Sequence, residues 1–188
     1  MKATAIILAA GASQRMGTPK ALLEAAGGLT FLARLARTFE RAGLAPLVVV
    51  GAHAAQIRAA HPRVPSVLNA GWADGQLSSV RVGLRAALAQ GAQRILIHPV
   101  DAPLLRPATA ARVLAALASA PAAVAHFKGK PGHPLALRAS AARAVLGLAV
   151  TTLEQAAATL EPQAISVDDE GTLDNLNSPE AYARRFGR

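Results

Sequence analysis

Glycine, arginine and lysine residues lie close together directly after the first apolar run of the chain. Ala5-Ile6-Ile7-Leu8 is followed by Ala9-Ala10-Gly11, and Arg15 and Lys20 come shortly afterwards. Glycine lets backbone N–H groups approach an anion closely, while arginine and lysine bind phosphate oxygens as a planar fork and as a point charge. The spacing is consistent with a phosphate-binding loop, and the alternative is an ordinary glycine turn with two solvated cations.

Two familiar phosphate-binding loops do not match this segment. A P-loop requires Gly-Lys-Ser/Thr four residues after its first glycine, and here Met16-Gly17 stands at that place. The dinucleotide fingerprint requires Gly-x-Gly-x-x-Gly, and Ser13 replaces its second glycine. The segment therefore supports neither a P-loop nucleotidase nor a dinucleotide-dependent dehydrogenase.

One carboxylate is placed where a metal ion could be held. Asp101 follows the apolar run Arg94–His98 and lies between Pro99 and Pro103, which restrict the turn. Mg²⁺ is commonly held by one or two protein oxygens, with substrate phosphates and water completing its shell. Asp101 is therefore a candidate Mg²⁺ ligand, and the alternative is an aspartate that only shapes a turn.

The elements that must position these residues alternate along the chain. Such alternation predicts right-handed crossovers and an α/β fold, a three-layer α/β/α arrangement with a mainly parallel sheet. Ligands of such sheets bind beyond the carboxyl ends of the strands. The predicted strands are Ala3–Leu8, Leu47–Val50, Val64–Leu68, Arg94–His98, Ala122–Phe127, Leu135–Leu137 and Ala164–Val167. The predicted helices are Phe31–Phe39, Val80–Leu88, Val113–Leu117, Thr151–Leu160 and Pro179–Phe186.

Length and composition narrow the class of protein. With 188 residues, no cysteine and a net charge of +9, the chain predicts one domain, 1–188, without disulfides. The basic residues are dispersed and aromatic residues are scarce, so nucleic-acid binding is not expected. No apolar run approaches the roughly 20 residues of a membrane span, and the first run is interpreted as a strand rather than a leader. We therefore expect a cytoplasmic protein without a membrane partner.

The string LAAGASQRMGTPKALL resembles the signature of the molybdenum-cofactor nucleotidyltransferases, the MobA-like NTP transferases, which have the nucleotide-diphospho-sugar transferase (Rossmann-like) fold. The positions in register are Gly11, Ser13, Arg15, Met16, Gly17 and Lys20. The resemblance implies that Leu8, Ala9, Ala10 and Gly11 bind the nucleotide together with Arg15 and Lys20. It also implies that Arg15, Lys20 and Asp101 carry catalysis.

A second segment, from Asn69 to Leu84, resembles the cytidylyltransferase branch of this family. The matching positions are Asn69, Trp72, Gly75, Ser79, Gly83 and Leu84. The resemblance implies nucleotide binding by Asn69, Gly75 and Ser79, while Trp72 either packs in the core or touches the ligand. Members of this branch usually have alanine at the place of Ala10, where guanylyl-transferring members have glycine, so CTP is the expected donor.

Three further motifs occur along the chain in the same order as in this family. Asp101-Ala102-Pro103 resembles its Asp-x-Pro metal element, and the segment around Asn177 resembles its closing element. The resemblance implies metal binding by Asp101 and Asn177, although Asn177 could instead cap the helix that begins at Pro179. Gly132-His133-Pro134 resembles an element near the acceptor, which implies acceptor binding by Gly132 and His133.

The resemblance implies a Mg²⁺-dependent nucleotidyl transfer. A nucleoside monophosphate passes from an NTP to a small phosphorylated acceptor, expected to be the molybdopterin cofactor, and pyrophosphate leaves. A molybdoenzyme that receives the cofactor is a possible partner. Two alternatives remain: guanylyl or other nucleotidyl transfer to a different small phosphate, and a non-catalytic module that binds nucleotide or cofactor.

Overall fold

The computed structural model describes residues 2–25 and 27–187. Met1 and Arg188, the ends of the predicted domain, lie outside the described residues. The strands are β1 (Ala3–Ala9), β2 (Ala45–Val50), β3 (Ser66–Leu68), β4 (Arg94–Pro99), β5 (Ala122–Phe127), β6 (Lys130–Arg138) and β7 (Gln163–Ser166). The helices are α1 (Phe31–Arg41), α2 (Ala54–Ala60), α3 (Gln76–Ala89), α4 (Pro107–Ala115), α5 (Ala139–Gly147), α6 (Leu153–Leu160) and α7 (Pro179–Phe186).

Within the described residues the strands form one sheet in the order β3-β2-β1-β4-β6-β5-β7. β1 pairs in parallel with β2 and β4, β2 with β3, and β5 with β7. β6 is antiparallel to both β4 and β5. The predicted α/β fold is confirmed, as a mixed sheet whose parallel half is continuous from β3 to β4.

Alternate residues of β1 enter two separate cores. Ala5 and Ile7 pack with α1 and α4 on one face, while Ile6 and Leu8 pack with α3 and α5 on the other. All of β1 is buried, as a strand covered on both faces must be. The sheet is therefore the middle of three layers, as predicted.

Two of the helices, α2 and α5, were not predicted because their sequences are rich in alanine. α2 buries Ile57 alone, and α5 buries Val145 together with small alanines, so neither shows strong hydrophobic periodicity. β6 is longer than the predicted Leu135–Leu137 because it pairs with a strand on each side. None of the helices in the described ranges combines the length and apolarity that crossing a bilayer requires.

Candidate functional site

A cavity of about 490 Å³ opens beyond the carboxyl ends of β1 and β4. This volume is within the range of small-molecule sites. The predicted site residues that line it are Leu8, Ala9, Ala10, Gly11, Arg15, Lys20, Gly75, Ser79, Asp101 and Asn177. Asn69, Gly132 and His133 were also predicted for the site, and they are not among the lining residues.

The loop after β1 is held by its own hydrogen bonds. Ser13 adopts a left-handed conformation (φ 52°), and its hydroxyl accepts a hydrogen bond from the Lys20 backbone N–H at 3.1 Å. His53 Nε2 donates to the Ala12 carbonyl at 2.8 Å. These contacts fold the segment back on itself, so that Gly11, Arg15 and the Lys20 side chain border the same cavity.

The close approach of Gly51 to this loop was not predicted. A Cβ at Gly51 would lie 2.5 Å from the Ala10 carbonyl oxygen and 2.7 Å from Trp72 Cβ. Only glycine allows three segments to meet this closely. Gly51 follows β2 as Gly11 follows β1, so the rule that ligands gather at carboxyl ends of strands could have found it. Trp72 both packs against the core and lines the cavity.

Three polar side chains from distant parts of the chain converge at one edge of the cavity. Lys20 Nζ lies 2.9 Å from Asp101 Oδ2 and also donates to Asn177 Oδ1. Lys20 and Asp101 are both largely buried, with side chains 19% and 18% exposed. The side-chain oxygens of Asp101 and Asn177 therefore point at one position, which the ammonium group of Lys20 occupies.

Asn177 does not cap the last helix. The N-cap of α7 is Ser178, whose hydroxyl accepts from the Ala181 N–H at 3.3 Å. The Asn177 side chain instead contacts Lys20 through Oδ1 and donates through Nδ2 to Asn175 Oδ1. The capping alternative is therefore wrong for Asn177, whose amide oxygen instead accepts a hydrogen bond from Lys20 at the cavity edge.

The donor set at this edge fits Mg²⁺ only if substrate contributes ligands. Within residues 2–25 and 27–187, no cluster of three or more His, Asp or Glu residues could hold a metal ion by itself. Asp101 and Asn177 offer one carboxylate and one amide oxygen, converging where the Lys20 ammonium stands. Mg²⁺ commonly takes one or two protein oxygens and completes its shell with phosphates and water, so these two residues fit such an ion.

Asn69 supports the second segment from within the protein. It is 3% exposed, and its Nδ2 donates to Ser78 Oγ at 2.8 Å and to Ser79 Oγ at 2.9 Å. Its Oδ1 accepts from the Gly71 N–H at 3.1 Å. With its amide group engaged in this way, Asn69 shapes the loop that precedes α3 and does not line the cavity.

The start of α3 faces the cavity. Gly75 is the N-cap of this helix, and both Gly75 and Gln76 line the cavity. No side chain accepts a hydrogen bond from the first turn at this cap. The unpaired N–H groups of a helix N-terminus favour an anion, so α3 and the loop after β1 present positive potential to the same space.

The predicted acceptor residues, Gly132 and His133, lie outside the lining of the cavity. The His133 ring is 5.9 Å from the buried His98 ring, and burial lowers the pKa of His133 while the charge of Asp101 opposes that shift. His98 Nε2 donates to the Ala102 carbonyl at 2.8 Å. A Cβ at Gly132 would lie 2.4 Å from the Thr172 carbonyl oxygen. His133 therefore packs against His98, which holds the Ala102 carbonyl next to Asp101, whereas Gly132 packs against Thr172, and neither residue lines the cavity.

Solved structures share this fold over their whole length. Rv0371c of Mycobacterium tuberculosis is 25% identical, with a TM-score of 0.82 and 100% coverage of both chains. A nucleotidyl transferase from Methanothermobacter thermautotroptrophicus is 24% identical, with a TM-score of 0.82 and coverage of 97% of this chain and 95% of that chain. A 4-diphosphocytidyl-2C-methyl-D-erythritol synthase is 23% identical, with a TM-score of 0.71 and 98% coverage of each chain. These likenesses show the nucleotide-diphospho-sugar transferase fold.

Curated relatives match a part of the chain. A probable molybdenum cofactor guanylyltransferase of Rhodopirellula baltica is 39% identical over 102 residues, which is 52% of this chain and 47% of the relative. A molybdenum cofactor guanylyltransferase of Sinorhizobium fredii is 34% identical over 116 residues, which is 60% of this chain and 52% of the relative. The chain spans about half the length of the curated relatives it matches.

The prediction of CTP from Ala10 is contradicted by these names, which specify guanylyl transfer. The structure explains why Ala10 was a poor guide. Ala10 is 5% exposed and packs in the core beside Gly51, and its methyl group has no hydrogen-bonding atom that could distinguish one base from another.

A family model covers most of the chain and agrees with the sequence motifs. The match runs over residues 5–166, from β1 to the end of β7, and so includes the loop after β1, the Asn69 segment and Asp101. The chain belongs to the family of the MobA-like NTP transferase domain.

Proposed function

We propose that this chain transfers a nucleoside monophosphate from an NTP to the phosphate of a small acceptor. The observation that carries the proposal is the meeting of Lys20, Asp101 and Asn177 at the edge of the cavity formed by the loop after β1. A phosphate oxygen of the acceptor forms a bond to the α-phosphorus of the NTP. The bond from that phosphorus to the bridging oxygen of the β-phosphate breaks, and pyrophosphate leaves with the electron pair.

The acceptor oxygen is already anionic, so the reaction requires no strong general base. The contribution of the protein is to position the reactants and to neutralise charge. Arg15 can bind the triphosphate as a planar fork, and Lys20 supplies a compact charge at the cavity edge. The N-terminus of α3, which begins after Gly75, adds backbone N–H groups on another wall of the cavity.

Asp101 and Asn177 would hold a Mg²⁺ ion at the position where their oxygens converge. Mg²⁺ supplies positive charge that stabilises the phosphate oxygens during transfer. A bound Mg²⁺ would compete with the ammonium of Lys20 for the same two oxygens. Lys20 would then be available to neutralise phosphates in the cavity that it lines.

We infer that the donor is GTP and that the acceptor is the pterin phosphate of the molybdenum cofactor. The names of the curated relatives support both choices. His133 lies near enough to Asp101 for that carboxylate to act on its pKa, which supports a role for the Gly132-His133 segment in binding the acceptor phosphate. The product would then be delivered to a molybdoenzyme.

The test is pyrophosphate release by the purified chain with molybdopterin and each of the four NTPs, with and without Mg²⁺. Mg²⁺-dependent release with GTP supports the proposal, and release with CTP alone would overturn the choice of base. NTP binding without any release would identify a nucleotide-binding module instead of a transferase. Asp101→Asn, which keeps the size of the side chain, provides the inactive control.

A further inference from the structure

A second cavity, of about 440 Å³, opens at the other end of the sheet. Arg94, where β4 begins, and Arg138, where β6 ends, both line it, together with Ser140 and Arg143 of α5. β4 runs from this cavity to the nucleotide cavity, whose lining includes Pro99 at the opposite end of the strand. None of the lining residues is acidic. The arginine cavity, as we name it, is therefore separate from the site described above.

Two arginines stand side by side in its wall. Arg94 and Arg138 are direct partners across the antiparallel pair of β4 and β6. Directly opposed residues project from the same face of a sheet, and like charges in that arrangement repel. In the part of the chain that the structure describes, no ion pair joins Arg94, Arg138 or Arg143 to a carboxylate. The fold therefore tolerates concentrated positive charge at this place.

The guanidinium groups of Arg94 and Arg138 make only some of the hydrogen bonds that they could donate. Arg138 Nε donates to the Leu117 carbonyl at 2.6 Å, and its Nη2 donates to the Ala118 carbonyl at 2.8 Å. Arg94 Nε is buried and has no hydrogen-bond partner among the described residues. A buried donor without an acceptor is unfavourable and requires an explanation. Both arginines line the cavity, so an anion there would balance their charge.

The first turn of α5 completes the wall. Ala139 N–H is already bonded to the Gln93 carbonyl at 3.0 Å, whereas Ser140 exposes its hydroxyl at the N-terminal end of this nine-residue helix. Arg143 lies three residues further on, and residues with this spacing are neighbours on a helix surface. The helix dipole adds positive potential at the same end.

We propose that the arginine cavity binds the phosphate or polyphosphate group of a small molecule. Guanidinium groups bind phosphate oxygens through paired hydrogen bonds, and several directed donors suit an anion with three or more free oxygens. A single carboxylate would leave part of this donor set unused. The site is separate from the nucleotide cavity, because the two share no lining residue.

The experiment measures binding of inorganic pyrophosphate by isothermal titration calorimetry. It uses the double variant Arg15→Gln/Lys20→Met, which is designed to abolish phosphate binding at the nucleotide cavity. One pyrophosphate per chain is expected to remain bound. Adding Arg94→Gln or Arg143→Gln should weaken this binding at least tenfold. Arg85→Gln is the matched control, because Arg85 is an exposed arginine on α3 outside the cavity and the change removes the same charge.

Two results would overturn the proposal: no pyrophosphate binding in the double variant, or equal losses in the Arg94→Gln, Arg143→Gln and Arg85→Gln proteins. Arg143 is exposed, so its substitution tests the site even if Arg94→Gln unfolds the chain. Chemical-shift changes at the Ser140 amide should accompany binding. Titration with a nucleoside triphosphate then distinguishes two sources of the phosphate group. A site for free polyphosphate should bind pyrophosphate and the nucleoside triphosphate equally well. A site for a phosphate carried on a larger molecule should bind the nucleoside triphosphate more tightly.

Discussion

The ammonium of Lys20 lies 2.9 Å from Oδ2 of Asp101, although 81 residues separate the two in the chain. Lys20 follows β1 and Asp101 follows β4, and these strands are parallel neighbours whose carboxyl ends meet at one edge. The same ammonium reaches Asn177, from the segment before α7. The ion pair therefore marks the point at which three separate segments form one cation-binding position.

Asp101→Asn should lower the turnover number of nucleotidyl transfer by at least about 100-fold, which corresponds to roughly 2.7 kcal/mol. The amide keeps the shape of the side chain but lacks the negative charge that pairs with Lys20 and would hold Mg²⁺. Single-turnover kinetics at saturating NTP measure this loss. Asp168→Asn is the control, since Asp168 is exposed and does not line the cavity. A near-normal rate in Asp101→Asn would remove Asp101 from the metal site.

Lys20→Met should strengthen the binding of Mn²⁺ to the nucleotide-free protein by about tenfold, or about 1.4 kcal/mol. The substitution removes a cation that competes for the oxygens of Asp101 and Asn177. Electron paramagnetic resonance of free Mn²⁺ measures the affinity without relying on activity. The same variant should need a higher NTP concentration to reach half-maximal activity, because the triphosphate loses its interaction with the Lys20 ammonium. An unchanged Mn²⁺ affinity would mean that lysine and metal do not share the site.

Gly51→Ala should destabilise the fold by about 1–3 kcal/mol and weaken NTP binding. The new methyl would lie 2.5 Å from the Ala10 carbonyl oxygen, so the loop after β1 must move away from β2. Urea denaturation and NTP titration measure the two effects. Gly147→Ala is the matched control, because a Cβ there meets nothing within 4 Å. Equal behaviour of the two variants would show that the loop accommodates the methyl without moving.

His98→Gln should reduce the loss of stability on acidification. Burial lowers the pKa of His98 from 6.5 to about 3, with the charge of His133 acting in the same direction. Between these pH values the unfolded chain binds a proton that the folded chain does not, so the free energy of unfolding falls as pH drops from about 6.5. One such group contributes up to about 1.4 kcal/mol per pH unit.

Urea denaturation of both proteins at pH 7, 6, 5 and 4 checks this prediction. The difference in the free energy of unfolding between wild type and His98→Gln should shrink as pH falls. Asp174, whose pKa is raised by burial to about 6, titrates in both proteins and cancels in the difference. His133 interacts with His98, so the difference reports the titration of His98 together with its effect on His133. Parallel curves would show that His98 does not titrate in this window.

Much of the fold could be predicted because the central strands are nearly continuous runs of apolar residues, which are recognisable in the sequence. β1, β2 and β4 are almost entirely apolar, and each appeared within a few residues of its observed bounds. α2 and α5 could not be recognised, because alanine is compatible with a core position and with the surface, which removes the periodic contrast. The antiparallel direction of β6 depends on a turn at Lys128 and Gly129, both at positive φ, and periodicity carries no information on strand direction.

Site residues could be predicted where they belong to one short sequence motif. They were harder to predict where their role depends on contacts between segments that are distant in the chain. Gly11, Arg15 and Lys20 occur within one segment and were identified together. His53, which holds the Ala12 carbonyl, shows no local pattern, because a histidine in a helix-start sequence has many possible roles. Asn69 was assigned to the nucleotide, whereas its amide is engaged by Gly71 and two serines inside the protein.

The sequence by itself determined the α/β class, the glycine loop and the family, since each depends on residue types at short spacing. Only the tertiary structure decided that Lys20, Asp101 and Asn177 share one cation position, because strand order brings their segments together. It alone set Arg94 opposite Arg138, through the register of two antiparallel strands. Electrostatic interactions depend on distances of a few ångströms, and separation along the chain does not specify those distances.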